Sequence, residues 1–324
     1  MSVKGQLLRL LEFNRDEYLS GESLAKSLNV SRNAIWKGIE SLRAEGYGID
    51  ALTNRGYRLI SRSSQLSDAG IAAHVKNPDL FHFDVRTTVT STNSLLRELA
   101  ASNLPEGYVI AAEEQSAGKG RMGRSFHSPA CHGIYFSVLL RPSPDSTDTG
   151  LITSAAAVAT AEAIEELTGI HVGIKWVNDL FLGDKKVCGI LTEATYDMES
   201  GAIDNAVLGI GVNVSKPAEG YPKEVDLVIT SILENQSEID GIRCRLIAAI
   251  LDNFWLYYQD ISARRFLPAY KSRSILLGRD ILVLSGDAIT PAHALEIDED
   301  CRLVIKCENG EIATLNSGEV SIKI

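Results

Sequence analysis

The sequence predicts a protein of mixed α/β class built from three consecutive parts. Patterns of apolar residues at helical spacing extend over most of residues 1–45. Strand and helix patterns alternate between residues 68 and 270. Short strand-like runs broken by Gly, Asp and Asn continue from there to the C-terminus. With 324 residues, of which 45% are hydrophobic, the chain is long enough for more than one core. We therefore expect domains at residues 1–62, 68–270 and 271–324.

The N-terminal part is predicted to be a winged helix-turn-helix. Residues 4–13 carry a broad apolar face, and Ser20 and Ser31 are suited to cap a second and a third helix. The third helix is expected to end at Gly46. The last elements are two short strands, at 49–52 and 57–60. This order is typical of winged helix-turn-helix modules, and we interpret the serine-rich segment 61–67 as a linker.

The central part is predicted to be a sheet covered by helices, and the last part a small barrel. The central strands are expected at 85–89, 108–113, 134–140, 172–176, 180–182, 186–194 and 206–214. The helices are expected at 94–101, with Thr92 or Asn93 as its cap, at 150–168 and at 243–267. Short strands at 281–284, 292–297, 303–307, 312–315 and 320–324 predict a small SH3-like β-barrel.

Charge and composition limit the function. Residues 1–62 hold ten Lys and Arg against seven Asp and Glu, whereas the rest of the chain holds 22 against 35. The positive charge of residues 1–62 favours contact with a polyanion at the N-terminus. The negative charge of the rest of the chain argues against general polyanion binding by the whole protein. The five cysteines and six histidines are dispersed, which predicts neither a disulfide framework nor a protein-built metal site. Without a signal peptide or a long apolar run, we expect a cytoplasmic protein with no membrane segment.

A glycine-rich basic loop occupies residues 118–124, Gly-Lys-Gly-Arg-Met-Gly-Arg. Its three glycines allow the backbone to approach a ligand closely. Its three cations have no acidic neighbour within the loop, so they would attract a phosphate or a carboxylate. The loop lacks the Walker A pattern and the dinucleotide-binding fingerprint. The alternative interpretation is a solvated basic turn.

Three further clusters carry polar or charged side chains beside glycine. The first is Lys175-Trp-Val-Asn-Asp179, followed by Lys186-Val-Cys-Gly-Ile-Leu-Thr-Glu193, where Lys186 enters an apolar strand. A charged hairpin turn would account for the same residues. The second is Thr90–Asn93, suited to a polar ligand ring or to ordinary helix capping. The third is the glycine-relieved strand at 209–214. No Ser-His-Asp or Cys-His arrangement predicts covalent catalysis.

Together and in this order, these clusters resemble the biotin protein ligases. The loop is similar to that family's GRGRxGR adenylate-binding motif, with Lys119 in place of the first arginine. Residues 175–179 resemble its KWPND motif, with Val177 in place of the proline, and residues 186–193 resemble its K-x-x-GIL-x-E strand. The N-terminal module extends the resemblance to the bifunctional members, which also repress biotin-synthesis genes.

The resemblance implies a two-step reaction. Biotin and MgATP give biotinyl-5′-AMP, and a lysine of a biotin carboxyl carrier domain then takes the biotin. The catalytic residues would be Lys186, Arg121 and Arg124. The biotin-binding residues would be Ser91, Thr92, Asn93, Gln115, Lys119, Gly120, Arg121, Lys186 and Gly189. The ATP or adenylate-binding residues would be Gly118, Arg121, Arg124, Phe126, Lys175, Asn178, Asp179 and Asn213.

The DNA-binding residues are expected on the third helix and on the wing. They are Ser31, Arg32, Asn33, Trp36, Lys37, Arg55 and Arg58. The alternative is a protein-interaction module with an ordinary charged face. By resemblance, biotinyl-AMP would order the loop and favour a homodimer through a sheet edge, on a surface that otherwise receives the carrier domain.

Two rival functions follow from the same residues. A lipoate-type ligase would use the same adenylation chemistry, although the GxGRxGR loop with K-x-x-GIL favours biotin. A ligand-sensing transcription factor without turnover would keep the fold and lose the reactive cations, yet Lys186 and Arg121 are present.

Overall fold

The computed structural model describes residues 2–15, 17–142, 149–196, 203–234, 239–285 and 288–322. The N-terminal module begins with helices α1 (Val3–Phe13), α2 (Gly21–Ser27) and α3 (Arg32–Ala44). Strands β1 (Gly48–Leu52) and β2 (Gly56–Ser61) then pair antiparallel. The predicted serine caps are confirmed, because the hydroxyls of Ser20 and Ser31 accept from the backbone N–H three residues on. The winged helix-turn-helix prediction is therefore confirmed.

The central sheet has seven strands, with parallel pairing between its first two and antiparallel pairing elsewhere. In sequence the strands are β3 (His82–Val89), β4 (Tyr108–Gln115), β5 (Gly133–Leu140), β6 (Gly173–Lys175), β7 (Asp179–Leu182), β8 (Lys185–Tyr196) and β9 (Ile203–Asn213). Their spatial order is β3-β4-β5-β9-β8-β7-β6. Strands β3 and β6 therefore form the two edges.

Within the described ranges, six α-helices accompany the central sheet. They are α4 (Asp68–His74), α5 (Thr92–Ala100), α6 (Thr149–Thr168), α7 (Lys223–Asp226), α8 (Ile242–Tyr258) and α9 (Leu267–Ser272). The alanine-rich α6 is buried between the sheet and α8, in the main core. On the opposite face, α5 packs Leu96 against Ile110, Leu139 and Val207. The face carrying α5 is also the one that carries the site.

Two details of the predicted helices are wrong. The long helix expected at 243–267 ends at Tyr258, because Asp260 is not helical and Arg264 has a left-handed backbone (φ 51°). Ile261 and Leu267 are buried all the same, which explains why the apolar pattern continued across the break. The cap of α5 is Ser91, whose hydroxyl accepts from the N–H of Ser94, rather than Thr92 or Asn93.

The C-terminal part is a five-stranded antiparallel sheet. Its strands are β10 (Asp280–Ser285), β11 (Ala288–Ile297), β12 (Leu303–Cys307), β13 (Ile312–Leu315) and β14 (Glu319–Ile322), in the spatial order β13-β12-β11-β10-β14. The last predicted strand reached residue 324, and residues 323 and 324 lie outside the described residues. Among the described helices, none combines the length and the apolar character required to span a membrane.

A buried arginine fastens the linker to the central domain. Arg243 of α8 is 2% exposed and pairs with Glu113 of β4 at 2.5 Å. Its Nε also donates to the carbonyl of Ser64, and Glu113 accepts from the N–H of Leu66. The linker backbone is therefore hydrogen-bonded to both partners of one ion pair.

We predict that Arg243→Ala lowers the free energy of unfolding by about 3–5 kcal/mol, because it leaves the Glu113 carboxylate without its cation. Urea denaturation followed by circular dichroism measures the change. The control is Arg86→Ala, which removes an ion pair with Asp84. The Arg86 side chain is 52% exposed, so its loss should change the stability little. Equal stability of the two variants would contradict the prediction.

Candidate active site and nucleic-acid interface

The floor of the site consists of glycines on β8 and β9. Gly189 and Gly211 lie directly opposite each other in the ladder, and the ring of Phe126 lies over both. A Cβ added to Gly211 would lie 2.6 Å from that ring. A Cβ added to Gly209 would lie 2.0 Å from Oδ1 of Asn93. The missing side chains therefore make room for an aromatic cover and a buried amide.

Buried polar groups line one end of the pocket above this floor. The N–H of Thr92 donates to Oε1 of Gln115 at 2.8 Å, and the Gln115 amide donates to Ser128. The Asn93 amide donates to the carbonyl of Leu191 at 3.2 Å. The hydroxyl of Ser137 lies 2.6 Å from Oδ1 of Asn93. These contacts fix the orientation of each amide, so the pocket presents donors and acceptors in set directions.

The basic loop folds back on itself as a small hairpin. The N–H of Gly120 donates to the carbonyl of Arg124 at 2.7 Å, and that of Phe126 donates to the carbonyl of Gly118 at 2.8 Å. Met122 at the tip has a left-handed backbone and is 75% exposed. The hairpin brings Lys119 and Arg121 to the pocket, whereas Arg124 pairs with Glu319 of β14.

Two cations converge at the centre of the site. Nζ of Lys186 lies 2.7 Å from Oδ1 of Asp179, and Nη1 of Arg121 donates to Oδ1 of Asn178 at 3.0 Å. The Asn178 amide donates to Asp179 and to the carbonyl of Ile190. One network thus orients both cations, and a bound anion would meet them together.

A second pocket continues from the first on the far side of these cations. The first has an empty volume of about 440 Å³ and the second about 670 Å³. Both are lined by Gly120, Arg121, Phe126, Asn178 and Lys186. Lys175 lines the second pocket, and burial lowers the pKa of its ammonium. The site therefore has two compartments that meet at Arg121 and Lys186.

Most of the predicted site residues lie in these two compartments. Those in the first are Ser91, Thr92, Asn93, Gln115, Lys119, Gly120, Arg121, Phe126, Asn178, Lys186 and Gly189. Those found in the second only are Arg124, Lys175 and Asp179. Two others do not line either pocket. Gly118 packs closely against the carbonyl of Phe126 at the base of the loop. Asn213 is buried, and its amide donates to the carbonyl of Thr230.

Sequence reasoning missed residues that shape the site, among them Ser137 and Glu319. Ser137 is fully buried within the otherwise apolar strand β5, and that polar interruption was a usable signal. Glu319 lies 195 residues from its partner Arg124, and no local pattern marks it. In the described part of the chain, no group of three or more His, Cys, Asp or Glu side chains is positioned to hold a metal ion.

The predicted DNA-contacting residues lie on one exposed surface of α3 and on the wing. Trp36 is 53% exposed, and Arg32, Asn33 and Lys37 are also exposed. The Ser31 hydroxyl accepts from the N–H of Ala34, so capping occupies one of its lone pairs. The wing carries Arg55 and Arg58, whose guanidinium carbons lie over the ring of Tyr18. The surface is basic, as expected for a module that contacts phosphates.

Sequence profiles of known families match all three parts of the chain. The HTH domain matches residues 4–58. The Biotin/lipoate A/B protein ligase family matches residues 85–213. The Biotin protein ligase C terminal domain matches residues 276–323. The arrangement agrees with the resemblance found in the motifs.

Individual proteins give the same result. The bifunctional ligase/repressor BirA of Bacillus subtilis is 33% identical over 99% of both chains. That of Escherichia coli K12 is 26% identical over 95% of this chain and 94% of its own. The biotin protein ligase of Aquifex aeolicus, solved with biotin and ATP, has a TM-score of 0.61 and 26% identity and covers 75% of this chain and 98% of its own. The chain therefore belongs to the BirA family of bifunctional ligase/repressors.

Proposed function

We propose that this chain activates biotin with ATP, transfers the biotin to a carrier lysine, and represses transcription when biotin is abundant. The observation that carries the proposal is the pair of compartments meeting at Lys186 and Arg121. A carboxylate in one compartment and an α-phosphate in the other would repel each other in water. Two fixed cations at their meeting point reduce that repulsion.

Biotin is assigned to the first compartment. Its ureido ring has one acceptor and two donors, which suits the fixed groups of Ser91, Thr92, Asn93 and Gln115. Its carboxylate is assigned to Lys186, with Lys119 and Gly120 of the loop close by. The ring of Phe126, which lies directly on the glycine floor at Gly189, supplies an apolar wall for the ligand. The wall residues Ile190 and Leu191 supply apolar contact.

ATP is assigned to the second compartment. Arg121, Arg124 and Lys175 supply positive charge for the phosphates. Asn178 holds Arg121, and Asp179 holds Lys186 at the boundary with the first compartment. Magnesium arrives with the nucleotide as part of the substrate. A biotin carboxylate oxygen attacks the α-phosphorus, the bond to the β-phosphate breaks, and pyrophosphate leaves. The cations stabilise the negative charge that builds on the phosphate oxygens.

The second step uses the mixed anhydride as an activated acid. The amine of a lysine on a biotin carboxyl carrier domain attacks the acyl carbon, an amide forms, and AMP leaves. A closed loop over residues 118–124 excludes water from the anhydride until the carrier arrives. This scheme fits a division of the chain into a DNA-binding domain at residues 1–62, a catalytic domain at 68–270 and a C-terminal sheet domain at 271–324.

The scheme is tested by mixing the protein with [α-³²P]ATP and either biotin or lipoate. We expect labelled biotinyl-AMP, labelled AMP after addition of a carrier domain, and biotin on the carrier lysine. Labelled adenylate formed with lipoate but not with biotin would show that lipoate, rather than biotin, is the substrate. No labelled adenylate with either acid would leave only a ligand-sensing repressor.

Lys186→Gln is predicted to slow biotinyl-AMP formation by about 10²–10³-fold, because it removes a fixed cation at the meeting point of the two anions. Quenched time courses of biotinyl-AMP measure the rate of its formation. The control is Lys185→Gln, since the Lys185 ammonium donates to the carbonyl of Asp226, away from the pocket. A rate for Lys186→Gln within threefold of the wild-type rate would exclude this role.

Gly209→Ala is predicted to weaken biotin binding by about tenfold or more, because its methyl group needs the space of the Asn93 amide. Displacing that amide breaks hydrogen bonds worth about 1 kcal/mol each. Isothermal titration calorimetry measures the affinity. Gly183→Ala is the control, since nothing lies within 4 Å of its added Cβ and only its positive φ is strained. Unchanged affinity in Gly209→Ala would remove Asn93 from the biotin site.

Homodimer formation is expected to follow biotinyl-AMP formation, through an edge of the seven-stranded sheet, and to create a two-half-site DNA reader. Sedimentation velocity should therefore show a larger species with biotin and ATP than without them. Lys186→Gln, which forms little adenylate, is expected to keep the unliganded profile. An unchanged wild-type profile at protein concentrations that bind operator DNA tightly would contradict the dimer proposal.

A further inference from the structure

Tyr18 holds together three charged groups of the DNA-binding module. The guanidinium carbon of Arg55 lies 5.1 Å from the centroid of its ring, and that of Arg58 lies 4.7 Å away. The hydroxyl of Tyr18 donates to Oδ2 of Asp50 on β1 at 2.5 Å. These distances are within the range of cation–π attraction and of a strong hydrogen bond. One aromatic side chain thus fixes both arginines of the wing.

The backbone around Tyr18 is itself attached to the wing. The next residue, Leu19, exchanges two backbone hydrogen bonds with Tyr57, each 2.9 Å long. Gly56 allows this close approach, because a Cβ there would lie 2.0 Å from the carbonyl oxygen of Leu19. The backbone beside Tyr18 is therefore held against the strand that carries Arg58 by contacts that do not involve either arginine.

The charges of this cluster are incompletely balanced. Asp50 lies 3.9 Å from Arg58, whereas Arg55 has no carboxylate at ion-pair distance among the described residues. Nε of Arg58 is buried and has no hydrogen-bond partner among them. The cluster therefore holds two cations and one carboxylate, and the hydrogen bond from Tyr18 lowers the pKa of Asp50. An external anion would complete the cluster.

We infer that Tyr18 is a positioning residue that presents Arg55 and Arg58 to backbone phosphates of bound DNA. The inference rests on the proposed DNA-binding function. A guanidinium held over a ring by cation–π attraction still has N–H groups at its rim that can donate to a phosphate. Holding both side chains in advance lowers the entropy lost on binding. Phosphate contact carries no sequence information, so the gain in affinity is the same on any duplex.

The test measures binding of the full-length protein, with biotin and ATP, to fluorescent duplexes of about 40 base pairs at several salt concentrations. One duplex is rich in A·T and the other in G·C. Tyr18→Ala is expected to weaken binding by about tenfold on both duplexes. The salt dependence should also become shallower, by about 0.9 in the logarithmic slope for each phosphate that the protein no longer neutralises. Tyr18→Phe keeps the ring and should retain most of the affinity.

A double-mutant cycle separates positioning from a general structural role. If Tyr18 acts through the two arginines, Tyr18→Ala adds no loss in a protein that already carries Arg55→Ala and Arg58→Ala. The control is Phe13→Ala, which removes an 88% exposed ring from the same module and should bind DNA normally. Biotinyl-AMP formation should be unaffected in all these variants.

Three results would overturn the inference. These are wild-type affinity in Tyr18→Ala, a full additional loss from Tyr18→Ala in the background without the arginines, and a loss confined to the A·T-rich duplex. The last would indicate readout of the minor groove instead of phosphates. Failure of the wild-type protein to bind either duplex would refute DNA binding itself, which is a distinguishable outcome.

Discussion

The site depends on the absence of side chains at three positions of two central strands. Gly189 and Gly211 face each other across β8 and β9, and Gly209 lies two residues along the same face. Any larger residue at Gly209 would occupy the place of the Asn93 amide, and at Gly211 that of the Phe126 ring. A sheet interior is normally filled by branched side chains, so these glycines weaken the strands locally. That local cost makes room for the Asn93 amide and the Phe126 ring, which line the pocket inside an otherwise close-packed domain.

The polar groups that line the pocket are positioned by contacts with the backbone and with one another. Helix α5 begins at Thr92 because Ser91 caps it, and this start brings Thr92 and Asn93 into the pocket. The Asn93 and Asn178 amides both donate to carbonyls of β8. Such anchoring keeps polar groups oriented before a ligand arrives, and preorganised dipoles need little rearrangement when charge develops. At the tip of the basic loop, by contrast, Met122 is 75% exposed.

The sequence predicted features that depend on neighbouring residues. It gave little information about features that depend on residues far apart in the chain. Serine caps and apolar periodicity located α1 to α3, and glycine with unpaired cations located the loop at 118–124. The end of α8 was misplaced, because buried residues continue past a backbone break that periodicity does not detect. Ser137 and Glu319 meet partners 44 and 195 residues away, and only the fold brings them there. The assignment to biotin came from the order of four motifs, since charge and glycine content indicated no more than an anion.

The attachment of the DNA-binding module bears on how ligand binding would reach DNA. Arg62 pairs with Glu12 at 2.6 Å and with Asp240 of the central domain at 3.3 Å, and Arg15 pairs with Asp240 at 2.5 Å. The Glu12 side chain is only 7% exposed, so breaking its ion pair would leave a largely buried carboxylate without its cation. The linker is held in addition by Arg243 and Glu113. A module clamped in this way keeps the orientation of α3 within one subunit, so in the proposed homodimer the spacing of the two α3 helices would be set by how the subunits pair. We therefore expect biotin to regulate DNA binding through assembly, with little rotation of the module inside each chain.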